Sequence, residues 1–166
     1  MRTLLVFMLF CIPALAFAQV KNAGCFLRMV QPENDELSIE NDSVKVSFYF
    51  DSMNYFCKVS IQNKTSEVIE VNWDKFLMIL EGKSYPILFE DTRMINKDDP
   101  KGSNPIAPGT SLQKHIAPVE YIDLEMPLYN KGWVKKHGDQ EIGYLVPISY
   151  GDKPKYYSCK ISVSLK

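Results

Sequence analysis

The chain has 166 residues, with 19 Lys and Arg against 20 Asp and Glu, and its formal net charge is −1. This balance excludes the strongly basic surface of most nucleic-acid-binding domains, so we expect no nucleic-acid partner. The length fits one domain with a core of its own and leaves little room for a second.

The N-terminus has the pattern of a secretory signal peptide. A basic residue precedes the apolar run LLVFMLFCIPALAFA, which ends at Ala16 and Ala18 with the spacing that signal peptidase accepts. A membrane anchor is the alternative, but it needs roughly 20 apolar residues. The run is shorter than that and contains Pro13. We therefore predict a cleaved signal at residues 1–18 and one domain at residues 19–166. The protein would be exported to the periplasm or the extracellular space, with no transmembrane segment after cleavage.

Alternation of apolar and polar residues then predicts half-buried strands. It is clear in SVKVSFYFD at residues 43–51 and in YFCKVSIQN at residues 55–63. The polar stretch NKTS at residues 63–66 predicts a turn. The alternating EVIEVNW at residues 67–73 follows it, so we expect these two segments to form a hairpin.

A second hairpin is predicted in FLMILEGKSYPILFE, residues 76–90. Gly82 lies between its two apolar runs, at a position that suits a positive φ. Pro86 lies inside the second run and predicts an edge strand, because proline cannot donate a ladder hydrogen bond.

Two polar segments follow, at residues 90–110 and 130–141, and neither has apolar periodicity. Long loops of this kind are often functional, so both are candidate binding elements. The candidate binding residues in or beside these segments are Arg93, Asn96, Tyr129, Trp133 and His137.

Between the two loops, SLQKHIAP at residues 111–118 predicts a short strand on which His115 faces solvent. The Pro-Gly pair at 108–109 predicts a type II turn before it. Two more strands are predicted at residues 142–149 and 156–165. We interpret His115 as part of the scaffold and not as a ligand or catalytic group.

Eight or nine short strands about ten residues apart, with no helical pattern of ten or more residues, predict an all-β fold. The expected architecture is an antiparallel immunoglobulin-like β-sandwich. A closed barrel is the alternative, but the scattered prolines favour a sandwich with irregular edges.

Three cysteines follow the predicted signal: Cys25, Cys57 and Cys159. An oxidising compartment predicts one disulfide and one thiol left over. Cys57 and Cys159 lie on the apolar faces of predicted strands, where a bridge would close a loop of about 100 residues and stabilise the fold by roughly 4 to 5 kcal/mol. Cys25 is either unpaired or an alternative partner for one of them.

Three stretches resemble exported bacterial immunoglobulin-like β-sandwich proteins that form a family of unknown function. They are SIQNKTSEVIEVNW, IAPGTSLQKHIAP and IGYLVPISYGDKPKYYSCKISV, and they cover about a third of the chain after the signal. The resemblance implies an exported protein with this fold. It carries over no catalytic residue, because the matching positions are those where such a sandwich turns or packs.

Patterns for catalysis or metal binding are scarce. The chain has two histidines, no GxSxG motif, and no close Cys or His pair of the kind that binds zinc. We therefore predict no enzyme activity, no metal and no cofactor. The predicted function is non-catalytic binding or a structural role, with an unknown protein or glycan of the envelope as partner. The alternatives are a carbohydrate-active or thiol-dependent hydrolase that uses the 90–110 and 130–141 loops, and a loop-inserting inhibitor or accessory subunit.

Overall fold

A computed structural model describes residues 19–34 and 36–165. The predicted signal peptide lies outside the described residues. The strands are β1 (Val20–Asn22), β2 (Cys25–Gln31), β3 (Glu33–Asn34), β4 (Ser38–Glu40), β5 (Val44–Phe50), β6 (Cys57–Asn63), β7 (Ile69–Asn72), β8 (Leu77–Leu80), β9 (Lys83–Phe89), β10 (Ser103–Ile106), β11 (Ser111–Pro118), β12 (Gln140–Tyr150) and β13 (Lys153–Ser164). The helices are α1 (Val119–Asp123) and α2 (Lys131–His137), and 3-10 turns cover Trp73–Lys75 and Met94–Asn96.

The strands join into one antiparallel sheet that curls into a half-barrel. Its order is β1-β2-β13-β12-β8-β9-β11-β6-β5-β4, with β3 on β2, β7 on β12, and β10 on β7. Phe48 of β5 stacks on Tyr144 of β12 with ring centroids 4.3 Å apart, so strands well separated in this order face each other across the core. The predicted all-β class is confirmed. The strands outnumber the predicted eight or nine, because β1 to β4 and β10 come from segments in which no strand was predicted.

The core lies inside the curl and is built from the alternating residues of the longer strands. On β13, Tyr157, Cys159, Ile161 and Val163 are buried, and Ser158 between them is exposed. Burial of one large aliphatic side chain stabilises the fold by about 1.5 to 3 kcal/mol, which fixes the face that each strand turns inward.

One predicted hairpin forms and the other does not. β8 pairs with β9, and Gly82 in their turn has a φ of 74°, as predicted. The prediction of a hairpin around residues 63–66 is wrong, because β7 pairs with β10 and β12 and not with β6. Asn63 explains the difference: its buried amide donates to the carbonyls of Glu67 at 2.7 Å and Ile106 at 2.9 Å. These two bonds hold the turn against the end of β10.

The prediction that β9 is an edge strand is also wrong. Residues 83–86 of β9 pair with β8, and residues 87–89 pair with β11. Pro86 is therefore the last residue on the β8 side, where the strand changes partner. An interior strand tolerates proline here because the ladder on each side is interrupted at this point.

The 90–110 segment contains more regular structure than its sequence predicts, since the absence of apolar periodicity indicates a long loop. It contains one 3-10 turn and β10, which pairs with β7. The carboxylate of Asp74 accepts from the backbone N–H of Lys101 at 2.6 Å and of Gly102 at 3.0 Å, which fixes the chain just before β10. At its end, Gly109 has a φ of 68° and the Thr110 N–H donates to the Ala107 carbonyl at 3.2 Å, in agreement with the predicted turn.

Candidate functional site

A cavity of about 510 Å³ lies where the two ends of the curled sheet meet without pairing. We call it the seam cavity. Its volume is within the range of about 300 to 1,000 Å³ that is usual for ligand sites. Its lining residues are Val20, Asn22, Leu27, Glu36, Leu37, Ser38, Lys45, Ser47, Phe48, Tyr49 and Phe50.

The walls of the seam cavity are mainly apolar. Val20 of β1 and Leu27 of β2 form one side, and Leu37, Phe48 and Phe50 form the other. Leu27 and Phe48 are buried in the core behind the cavity, whereas Val20 at its mouth is 43% exposed. The cavity is thus an opening from solvent onto the core of the half-barrel.

Charges on and next to the rim of the seam cavity neutralise each other. Lys45 Nζ lies 2.9 Å from Glu36 Oε2 and 3.2 Å from Glu40 Oε2, and Lys64 Nζ lies 2.9 Å from Glu40 Oε1. The hydrogen bond from Lys45 is the main reason that the pKa of Glu36 is lowered. With two ammonium groups balancing two carboxylates, the rim does not select a charged occupant.

Asn22 closes one end of the seam. Its Nδ2 donates to the carbonyls of Phe50 at 3.0 Å and Asp51 at 3.1 Å, and its Oδ1 accepts from the Tyr129 hydroxyl at 2.6 Å. Tyr129 is only 2% exposed, and burial is the main cause that raises its pKa. This candidate binding residue therefore belongs to the core under the seam and not to a surface loop.

Trp133 and His137, two other candidates, are brought together on α2. Their rings stack with centroids 3.9 Å apart and an interplanar angle of 26°. Both rings line a second cavity of about 270 Å³, which we call the helix cavity. It is lined by Leu80, Glu81, Gly82, Tyr121, Leu128, Trp133, His137, Gly138, Asp139, Gln140, Glu141 and Ile142.

Arg93 and Asn96 lie elsewhere, at the 3-10 turn of the 90–110 segment, and both are exposed. The adjacent Lys97 forms an ion pair with Asp123 at the end of α1. No residue of the 90–110 segment lines the helix cavity. The two loops predicted to act together thus form separate surfaces.

The three thiols are buried and unpaired. Burial is the first cause that raises the pKa of each, and it brings that of Cys57 to about 12. The charge of Cys57 also raises the pKa of Cys159, and both thiols raise the pKa of the buried phenol of Tyr144, which lies opposite Cys159 in the β12–β13 register. The Cys57–Cys159 disulfide stays a prediction.

His115 lies on the outer face of β11, as predicted, with 44% of its side chain exposed. Its Nδ1 contacts Glu90, the residue opposite it at the end of β9. Among the described residues, no group of three Cys, His, Asp or Glu side chains is placed to hold a metal ion. None of the helices in residues 19–34 and 36–165 has both the length and the apolar character to cross a bilayer.

Sequence reasoning missed the seam cavity. Leu27, Phe48 and Phe50 alternate like ordinary core residues, and β1 has only three residues, too few to show a period. The only usable signal was the unusual number of aromatic residues at the end of β5.

No protein-family model matches the chain, and no curated protein matches it in sequence. Among solved structures, it is similar to a protein from Archaeoglobus fulgidus, with 9% sequence identity and a TM-score of 0.35. The superposition covers 87% of this chain and 94% of that chain. A likeness at this level assigns neither a family nor a function.

Proposed function

We propose that this chain is an exported, non-catalytic binding protein that holds an extended peptide segment of a partner protein in the seam cavity. The observation that carries the proposal is an apolar opening of about 510 Å³ between two sheet ends that do not pair with each other. The partner would be a protein of the envelope or the extracellular space, in accord with the predicted signal at residues 1–18.

We also propose that the fold is related to the immunoglobulin-like sandwiches of exported bacterial proteins. Support comes from the antiparallel pairing and from the two halves of the sheet that face each other through Phe48 and Tyr144. In sandwiches of this kind an open edge commonly accepts a strand from another chain.

The strand edges at the seam favour a peptide as the occupant. β4 pairs only with residues 45–47 of β5, and beyond it the Phe48 N–H donates to the Leu37 carbonyl at 2.8 Å. Among the described residues, Tyr49 and Phe50 have no strand beside them on the seam side. Asn22 already donates to the Phe50 carbonyl on this side, so an added strand would gain its main-chain hydrogen bonds at the other groups of this edge, and its alternate side chains would enter the apolar cavity. The balanced rim charges favour an uncharged segment.

The buried thiols favour binding over thiol-dependent catalysis. A catalytic cysteine needs an exposed, electropositive surrounding that lowers its pKa. Cys25, Cys57 and Cys159 are each at most 2% exposed, and burial raises the pKa of every one of them.

The test is to select displayed nonapeptides on the purified protein and to measure the affinity of the selected peptides by calorimetry. We expect alternating apolar residues in them. N-methylation of every second amide should abolish binding, and N-methylation of the intervening amides should not, because only one edge of an added strand pairs with the sheet.

Two matched variants locate the site. Val20→Arg places a charge at the mouth of the seam cavity, whereas Val68→Arg makes the same change on a turn, at a residue that is 55% exposed. We expect Val20→Arg to weaken peptide binding at least tenfold and Val68→Arg to leave it unchanged. Equal affinities for the two variants would place the peptide elsewhere. A different outcome is that no peptide is selected, while an apolar dye binds the wild type and not Val20→Arg. The occupant of the seam cavity would then be a small apolar ligand and not a peptide.

A further inference from the structure

The helix cavity combines aromatic rings with acidic side chains. Trp133 and His137 of α2 lie on it together with Tyr121 from the middle of α1. The acidic residues come from the β8–β9 turn, from the segment that joins α2 to β12, and from the start of β12. They are Glu81, Asp139 and Glu141, and no Lys or Arg is among the lining residues.

The aromatic rings are held in place by local structure. Asn130 caps α2, because its Oδ1 accepts from the backbone N–H of Gly132 at 2.7 Å and of Trp133 at 3.1 Å. Trp133 packs on His137 and is still 41% exposed. Tyr121 is fixed by an edge contact with Tyr85, with ring centroids 5.5 Å apart. Trp133 is therefore an ordered ring at the mouth of a cavity.

The negative charge of the carboxylates affects groups that line the helix cavity. Burial raises the pKa of Tyr121 to about 12, and the negative charge of Glu81 is the next largest cause. Glu141 is partly balanced by Lys160, whose Nζ lies 3.5 Å from its Oε2 on the surface. Glu81 and Asp139 form no ion pair with any described residue within 4.0 Å. The cavity therefore favours a positive charge.

A further acceptor lies in the same cavity. The side-chain oxygen of Gln140 is inaccessible to solvent and has no hydrogen-bond partner among the described residues. A buried acceptor without a donor is unfavourable, and an N–H group of a ligand would satisfy it once the Gln140 side chain turns towards the cavity. This oxygen distinguishes the helix cavity from an acidic patch on an open surface.

We propose that the helix cavity binds a small organic cation that carries N–H donors, an alkylammonium or an alkylguanidinium group. The carboxylates attract the charge, the Gln140 oxygen accepts one N–H, and the Trp133 ring contacts the cation or its alkyl chain through a cation–π interaction. The volume of about 270 Å³ suits a group of this size. The site is independent of the seam cavity and of the peptide proposed to occupy it.

The binding test can follow Trp133 as the probe and Trp73 as an internal control. The Trp73 indole is 1% exposed, donates from Nε1 to Asn104 Oδ1 at 2.8 Å, and does not line the helix cavity. The two indole N–H signals are followed by ¹H–¹⁵N NMR during titration with n-butylammonium, n-butylguanidinium, n-butanol and tetramethylammonium. We expect the Trp133 signal to shift saturably with the first two ligands and the Trp73 signal to stay in place. Butanol lacks the charge and tetramethylammonium lacks N–H donors, so both should bind at least fivefold more weakly.

Matched variants assign the effect to the cavity. Glu81→Gln removes one lining charge from an exposed turn, and Glu67→Gln removes an exposed charge elsewhere. We expect a threefold or larger loss of n-butylammonium affinity for Glu81→Gln and no change for Glu67→Gln. An equal response to butanol, or equal affinities for the two variants, would overturn the proposal.

The source of the cation is distinguished by two further ligands. N-acetyl-lysine methylamide and N-acetyl-arginine methylamide present the same groups on a peptide backbone. Tighter binding than that of the free alkyl cations assigns the site to a basic side chain of a protein. Weaker binding assigns it to a free amine or guanidine.

Discussion

Cys57 shows how the core controls the chemistry of single residues in this protein. The residue is fully buried on β6, and desolvation raises the pKa of its thiol to about 12. In an unfolded chain the same thiol ionises near pH 8.5. The folded state therefore keeps a proton that the unfolded state loses. The stability that Cys57 contributes is complete below about pH 8.5 and declines as the pH rises towards 12.

We therefore expect the free energy of unfolding to fall between about pH 9.5 and 11, with roughly 1.4 kcal/mol per pH unit of the slope due to Cys57. Cys57→Ala should remove that part of the slope. Urea unfolding under reducing conditions at several pH values measures it. Ser60→Ala, on the same strand and without a titratable group, should keep the wild-type slope. A Cys57→Ala slope equal to that of the wild type would mean that this thiol ionises alike in both states.

At the scale of elements, the sequence predicts strands better than it predicts their partners. β5, β6 and β13 were identified because their alternation is a local property that burial on one face requires. The partners of β7 depend instead on the Asn63 amide, which reaches the Ile106 carbonyl 43 residues away. The α2 segment has the polar pattern of a loop, because only Val134 among its seven residues is buried. Its seven-residue length also falls below what a periodic pattern can reveal.

Because α2 is short, its stability depends on its N-cap residue, Asn130. Asn130→Ala should cost about 1 kcal/mol, because the N–H groups of Gly132 and Trp133 lose their acceptor. Asn130→Asp should retain most of this stability, since a carboxylate also accepts these bonds and favours the positive end of the helix. Hydrogen exchange at the Val134 and Gly138 amides, which bond to the Asn130 and Val134 carbonyls, measures the opening of α2. Equal exchange in the wild type and Asn130→Ala would show that packing alone holds the helix.

For the molecule as a whole, the decisive feature is a sheet that curls without closing. Composition and alternation were sufficient to predict an all-β fold, but not that β1 and β4 would end on opposite sides of an open seam. Closure depends on strand number, tilt and register together, and none of these can be read from local patterns. The seam cavity arises where this curl brings β1 and β2 close to β5, and the helix cavity arises where the β8–β9 turn lies beside the start of β12. The sequence could therefore indicate Trp133 and His137, but not that Glu81 lines the same cavity.

Asn22 is the side chain that joins the two ends of the sheet, so its removal should affect the whole molecule. Asn22→Ala deprives the Phe50 and Asp51 carbonyls of a donor and leaves the buried Tyr129 hydroxyl without its acceptor. We expect a loss of about 2 kcal/mol in the free energy of unfolding, together with faster hydrogen exchange in β1. In a Tyr129→Phe background the same change should cost about 1 kcal/mol less, because no hydroxyl is left unpaired. Urea unfolding of the four proteins in this cycle gives the coupling energy, with Asn96→Ala on the exposed 3-10 turn as the control for loss of an asparagine. Strictly additive costs would mean that the Asn22–Tyr129 bond contributes nothing to closing the seam.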